Sequence, residues 1–275
     1  MTSKPFLKSF PSCTAKWDNR PVLLSQKLIQ LIMEKTENIG NTENTALKTQ
    51  VYNLVILDKS GSMESIRKEA IDGYNETLGT IRAAQLKHLD TQEHFVSLAA
   101  FCGCGIDMIY DKTPIKEAGK LTKKLYEPCC STPLFDAIGT TVKKLKADIK
   151  DVEDAAVLVT IITDGYENSS REWTGLAVQK LIEDCKEEGW MFSFLGAGED
   201  VVSIATKISI SNTVVWEATP EGTKGVFANE NSAQTRYYDR MADACAGTLG
   251  APMSAEERKK IRKKLSADYY NKDEK

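Results

Sequence analysis

The chain has 275 residues, 41% of them hydrophobic and 27% charged, with a formal net charge of −3. That length admits one large domain or two small ones of ordinary globular composition. The near-balanced charge gives no general case for binding nucleic acid or an anionic membrane, and no apolar run approaches the roughly 18–20 residues that span a bilayer.

The first twenty residues, MTSKPFLKSFPSCTAKWDNR, lack the continuous apolar stretch of a signal peptide, so a cytoplasmic chain is expected. Residues 1–50 read as a polar extension, partly disordered. Within it Leu24, Leu28, Leu31 and Ile32 fall at helical spacing over 23–33, followed by a linker rich in Thr, Asn, Glu and Lys over 34–50.

From Val51 onward, strand and helix patterns alternate. Residues 52–57 predict a first strand, and a helix from about 64 carries Ile66, Ala70, Tyr74, Leu78 and Ile81 on one face. Strands at 94–101 and 106–110 are too close for a crossover helix and predict an antiparallel hairpin. Leu134, Ile138, Val142, Leu145 and Ile149 mark a second amphipathic helix. Residues 155–163 are almost wholly apolar, as a central strand covered on both faces requires. A helix over 174–188 (Leu176, Leu181, Ile182 and Cys185), with Gly189 closing it, precedes a strand at 190–195. Then come a helix at 200–208, a strand at 213–216 and a helix within 221–246. This alternation predicts an α/β, doubly wound, mostly parallel sheet with one antiparallel edge strand and helices on both faces.

Residues 247–275 read as a charged, helical C-terminal tail. Ser254 and Glu257 form a capping-box pattern, and Arg258 to Lys264 contains six basic residues in seven. Acids flank that run, so a solvated helix is expected.

Seven cysteines fit a reducing compartment. Cys102-Gly-Cys104 and Cys129-Cys130 together offer four sulfurs for zinc. Structural zinc pairs usually have two to four residues between them, however, so the thiols read as reduced and packed.

Oxygen-bearing residues gather at predicted strand ends. Asp58 ends the first strand and is followed by Ser60 and Ser62; Asp164, in Ile-Ile-Thr-Asp-Gly, ends the apolar one. In open α/β sheets, ligands collect beyond the carboxyl ends of strands where the strand order reverses. Thr132 precedes Pro133 and Leu134; taken alone, it and Ser62 read as helix caps.

Asp-Lys-Ser-Gly-Ser-Met, Thr-Pro-Leu-Phe-Asp-Ala-Ile and Ile-Thr-Asp-Gly occur in this order along the chain. Together they resemble the metal-ion-dependent adhesion site of von Willebrand factor type A (vWA) domains, over residues 51–246. Leu-Gly-Ala-Gly-Glu-Asp and Trp-Glu-Ala-Thr-Pro-Glu-Gly-Thr are similar to stand-alone bacterial members.

The resemblance implies a Rossmann-like, non-enzymatic interaction module. Ser60, Ser62 and Thr132 would offer oxygens to Mg²⁺, or to Mn²⁺ in its place. Asp58 and Asp164 would supply charge directly or through water, and an acidic side chain of a protein partner would complete the coordination. An AAA-type ATPase or a stress-response protein is the kind of partner it suggests. Helix N-termini after Ser62 and Thr132 would favour that incoming anion. Many relatives have two glycines before Thr-Pro-Leu, where this chain has Cys129-Cys130-Ser131. Lys59 reads as solvent-exposed.

The alternative is a metal-dependent phosphatase or other hydrolase of α/β fold. Such enzymes place a second aspartate two residues after the first, where this chain has Ser60. Neither His88 nor His94 adjoins a Ser or Cys in a triad pattern, and no phosphate-binding Gly-x-x-x-x-Gly-Lys loop occurs.

Overall fold

The structure is a computed structural model that describes residues 48–198, 200–246 and 253–271. All lie in one compact unit, Ala46–Lys275. The helix expected at 23–33 and most of the linker after it lie outside the described residues.

Six strands form one sheet: β1 (Thr49–Asp58), β2 (Gln92–Cys102), β3 (Gly105–Pro114), β4 (Ala155–Thr163), β5 (Met191–Ala197) and β6 (Asn212–Trp216). Their order is β3-β2-β1-β4-β5-β6, and every pairing is parallel except the β2–β3 hairpin. The expected architecture is therefore present. From β1 the chain builds outward to β2 and β3, then returns to lay β4, β5 and β6 on the other side. The strand order reverses between β1 and β4, which opens a crevice at their carboxyl ends.

Alternating residues of β1 feed two cores. Tyr52, Leu54 and Ile56 pack with α2 (Leu134–Asp148), α3 (Gly175–Glu187) and α4 (Val201–Lys207). Val55 and Leu57 pack on the opposite face with α1 (Arg67–Lys87) and with Val226 and Phe227 of α5 (Pro220–Ala246). Each fully buried Leu or Ile contributes roughly 1.5–3 kcal/mol, so β1 anchors both layers. In α3 the buried face is Val178, Ile182 and Cys185, whereas Leu176 is 76% exposed. Gly189, at φ +86°, ends that helix as expected.

The C-terminal helix departs from expectation. α6 (Ala255–Ala267) starts with the complete capping box of Ser254 and Glu257, but it is not a solvated tail. Two turns of its basic run face inward: Arg258 and Arg262 donate to Asp154, at 2.6 and 2.8 Å, and Thr49 donates to the same carboxylate at 2.6 Å. Beyond the helix, Tyr269 and Tyr270 donate to Glu230 of α5, which also accepts from Thr160 and Ser193. Four hydroxyls thus satisfy a carboxylate that is 1% exposed. The acids flanking the basic run in sequence are not its principal partners, because folding offers a buried acid instead.

Burial alone would push the Asp154 carboxyl up, but the Thr49 hydroxyl and the two guanidiniums outweigh it and hold it below the usual range. A depressed carboxylate stabilises the fold above its unfolded pKa of about 3.9, and that contribution is lost as pH falls through the lower folded value. Asp154→Asn should destabilise the chain by about 3 kcal/mol in urea denaturation at pH 7, since it leaves buried Arg262 without its counter-charge. The gap from wild type should narrow below pH 4. Removing residues 254–275 should likewise lower the urea midpoint, and an unchanged midpoint would identify a dispensable tail.

Candidate functional site

Asp58, the last residue of β1, is fully buried. Its Oδ1 accepts from the Ser60 amide at 2.7 Å and its Oδ2 from the Thr163 hydroxyl at 2.6 Å. The Asp58 carbonyl accepts from the buried hydroxyl of Tyr126. Burial pushes the Asp58 carboxyl up to about 6; the Thr163 and Ser60 hydrogen bonds pull it down, and the charge of Asp164 adds to the rise. Asp164, one residue past β4, is also raised by burial, while the Ser62 hydroxyl donating to its Oδ1 at 2.7 Å opposes the rise.

Ser60 and Ser62 face each other with 3.2 Å between their hydroxyl oxygens. Ser62 lies within a 3-10 turn, Gly61–Ile66, that leads into α1. The cap reading of Thr132 fails, because α2 is preceded by Pro133 and has no side-chain cap. Its hydroxyl is turned elsewhere. A Cβ placed on Gly165 would lie 3.2 Å from Thr132 Oγ1 and 3.8 Å from both Asp58 Oδ2 and Ser62 Oγ. Oxygens from two distant stretches therefore face one small space that glycine leaves open, and Ser62 ties Asp164 beside it. All five residues singled out from the sequence are brought to the β1–β4 crevice.

Main-chain bonds fix the Thr132 loop. The Cys129 amide donates to the Lys59 carbonyl at 2.9 Å, and the Gly61 amide to the Cys130 carbonyl at 3.1 Å. Asn168 Oδ1 accepts from the Thr132 amide at 2.9 Å. Farther along the loop after Asp164, Glu167 accepts from the Phe135, Ser169 and Ser170 amides. Asp136 in return accepts from the amides of Arg171, Glu172 and Trp173. Trp173 lies flush on Gly139 of α2, where a Cβ would meet the indole at 2.0 Å.

Two expectations need correction here. Helix N-termini were to greet an incoming anion, but a 3-10 turn follows Ser60, and the first free amides of α2 are taken by Glu167 and Ser170. Lys59 is not solvent-exposed: its side chain is 11% exposed and pairs with Asp107 of β3. Sequence reasoning also passed over Thr163, Tyr126, Glu167 and Asn168. The polar run after Asp164 hinted only at Glu167 and Asn168, because the partners of all four, the Asp58 carboxylate and carbonyl and the Phe135 and Thr132 amides, lie far away in the chain.

No family model matches the sequence, and no curated protein matches it. Among solved structures, the pilus adhesin SpaC from Lactobacillus rhamnosus GG is 14% identical, with a TM-score of 0.50, over 70% of this chain and 31% of that one. A von Willebrand factor type A protein from Catenulispora acidiphila is 15% identical over 68% and 43% of the two chains, with a TM-score of 0.44. The proximal thread matrix protein 1 from the mussel byssus, a structure with a zinc-occupied MIDAS motif, is 13% identical over 66% and 47%, with a TM-score of 0.49. The chain thus spans less than half the length of each of these. Six strands in the order β3-β2-β1-β4-β5-β6, with Asp58, Ser60, Ser62, Thr132 and Asp164 gathered at the reversal between β1 and β4, form the Rossmann-like α/β fold that the resemblance to von Willebrand factor type A domains implies, and the pilus adhesin shares that fold with this chain.

Proposed function

We propose that the chain is a cation-dependent protein-interaction module. In this reading Asp58, Ser60, Ser62, Thr132 and Asp164 hold Mg²⁺, and an acidic side chain of a protein partner binds to it. The observation that carries the proposal is electrostatic. Two carboxylates, one of them fully buried, sit in one crevice, and among the described residues neither meets a lysine or arginine at ion-pair distance. Burying such a pair without compensating positive charge is costly.

The donor set fits a hard cation. It consists only of oxygens, three of them neutral hydroxyls, which suits Mg²⁺ and allows Mn²⁺. Once bound, the cation would supply an electrophilic position for a carboxylate oxygen. The residues' own part is to orient: Thr163, Tyr126 and the Ser60 amide fix Asp58, and Ser62 ties the first loop to Asp164. Because the α2 amides are spent, attraction of an anion must come from the cation itself. A cleft of about 710 Å³, lined by Asp164, Tyr166, Gly198, Val215, Trp216 and Glu217, gives a partner room beside the site. The cytoplasmic setting, and an AAA-type ATPase or stress-response protein as bearer of the acid, belong to the same proposal.

A phosphatase reading is less well supported. Its nucleophilic carboxylate would have to be accessible, whereas Asp58 is 0% exposed with both oxygens engaged. His94 pairs with Val51 at the far end of β1, seven residues from Asp58, or roughly 23 Å at 3.3 Å per residue.

Calorimetric titration with Mg²⁺ tests the site. Asp58→Asn and, separately, Gly165→Ala should each weaken binding at least tenfold, about 1.4 kcal/mol, with an unchanged circular dichroism spectrum; unaltered affinity in both variants rejects it. Affinity should also fall as pH drops below about 6, because a proton on Asp58 competes with the cation. A pH-independent affinity between 5 and 7 would show that Asp58 does not contribute its charge.

Partner capture from native lysate should require Mg²⁺ and be reversed by chelator. Neutralising one exposed Glu or Asp of the captured protein should then abolish binding. Chelator-sensitive phosphate release from a model ester would favour the hydrolase instead.

A further inference from the structure

Four thiols converge on the flank of the adhesion-type site. Cys102 ends β2 and Cys104 sits in the tight turn to β3, while Cys129 and Cys130 begin the loop that carries Thr132. Cys102 and Cys129 sulfurs lie 3.3 Å apart, Cys104 and Cys129 3.8 Å, and Cys104 and Cys130 3.1 Å. The sulfurs of Cys102, Cys104 and Cys129 all lie within 4.8 Å of one another. The short spacing that argued against a zinc site in the sequence is overcome by the hairpin, whose turn swings Cys104 back over Cys129.

The two segments are pressed together. The Gly103 amide donates to the Ser131 carbonyl at 2.8 Å, and a Cβ on Gly103 would stand 2.4 Å from Ser131 Oγ. Cys130 adopts a left-handed backbone, φ +60°, a conformation that costs a non-glycine residue about 1–2 kcal/mol. The backbone that directs the Cys130 sulfur toward Cys104 is thus one that cysteine adopts only against its own preference.

We propose that Cys102, Cys104, Cys129 and Cys130 bind one thiophilic divalent cation, zinc in the cell, clamping the β2–β3 hairpin to the Thr132 loop. A tetrahedral tetrathiolate with Zn–S bonds of about 2.3 Å sets its sulfurs roughly 3.8 Å apart. The 3.1, 3.3 and 3.8 Å approaches reach that arrangement with shifts below about 1 Å, while Cys130, outside the 4.8 Å group of the other three, completes it by a larger swing of its exposed side chain. Disulfide pairing would use each sulfur once and leave the Cys104–Cys129 approach without a role. A shared cation uses every approach.

Binding releases the four thiol protons to solvent and leaves a site of net charge −2. Lys59, close enough to Cys102 and Cys129 for their charges to act on its ammonium, offers partial compensation. The two cation sites would not compete, since thiolates select a soft or borderline ion and the Asp58 cluster a hard one.

The test is titration of the reduced, anaerobic full chain with Co²⁺ in excess Mg²⁺. One equivalent should produce thiolate-to-cobalt charge-transfer absorption and intense tetrahedral visible bands, both lost on adding one equivalent of Zn²⁺. Cys104 and Cys130 are exposed, so Cys104→Ser and Cys130→Ser should fold normally by circular dichroism, yet each should weaken cobalt binding at least tenfold. No charge-transfer band in the reduced wild-type chain overturns the proposal, as does unchanged affinity in both variants. Two disulfides in the chain as purified, with no cobalt bound after reduction, would replace it with redox pairing. None of these readouts depends on cation binding at Asp58, so this site and the proposed Mg²⁺ site stand or fall separately.

Discussion

Everything at the site depends on keeping one aspartate ionisable at the dry end of a central strand. Asp58 ends a strand flanked by β2 and β4 and has no exposure to water. A carboxylate there is tolerable only if hydrogen-bond donors and positive charge replace its hydration. The fold provides the donors, namely the Thr163 hydroxyl and the Ser60 amide. In the proposed reading, a bound cation would supply the positive charge. Replacing Thr163 with an aliphatic side chain would remove a donor without altering the strand, so it is the position where folding and ligand binding are most tightly joined.

Around that acid, other carboxylates serve as main-chain acceptors. Glu167 and Asp136 each collect amides from the opposite segment, so the loop after Asp164 and the start of α2 hold one another. Trp173 lying on Gly139 adds an apolar closure. The result is a rigid collar that fixes Thr132 through Asn168 and its own amide. It also consumes the N-terminal amides of α2, so in the proposed reading the attraction of an anion would come from a bound cation and not from that helix end.

The parts of this protein that are legible in its sequence are those written locally. The 155–163 run reads as a buried central strand because its apolar character is continuous, and Asp58, Ser60 and Ser62 read as a unit because they share one turn. What the sequence conceals is pairing across distance. The basic run of α6 has acids beside it, yet Arg258 and Arg262 find Asp154, more than a hundred residues earlier. Lys59 reads as solvent-facing until β3 brings Asp107 against it. Thr163 and Tyr126 are ordinary strand and loop residues by composition, and only tertiary structure turns their hydroxyls toward Asp58.

The Cys129-Cys130-Ser131 stretch shows how a local departure acquires meaning in three dimensions. Two glycines there would leave the backbone free to rearrange when a ligand arrives. Here the Cys129 amide and the Cys130 carbonyl are both bonded to the segment carrying Ser60 and Ser62, and the Ser131 carbonyl is bonded to Gly103. A loop held at three points presents Thr132 in one place. Such preorganisation lowers the ordering cost of binding, and it also removes the slack that a large rearrangement between two loop positions would need. In the proposed reading, the site of this chain is ready in advance and is not assembled by its ligand.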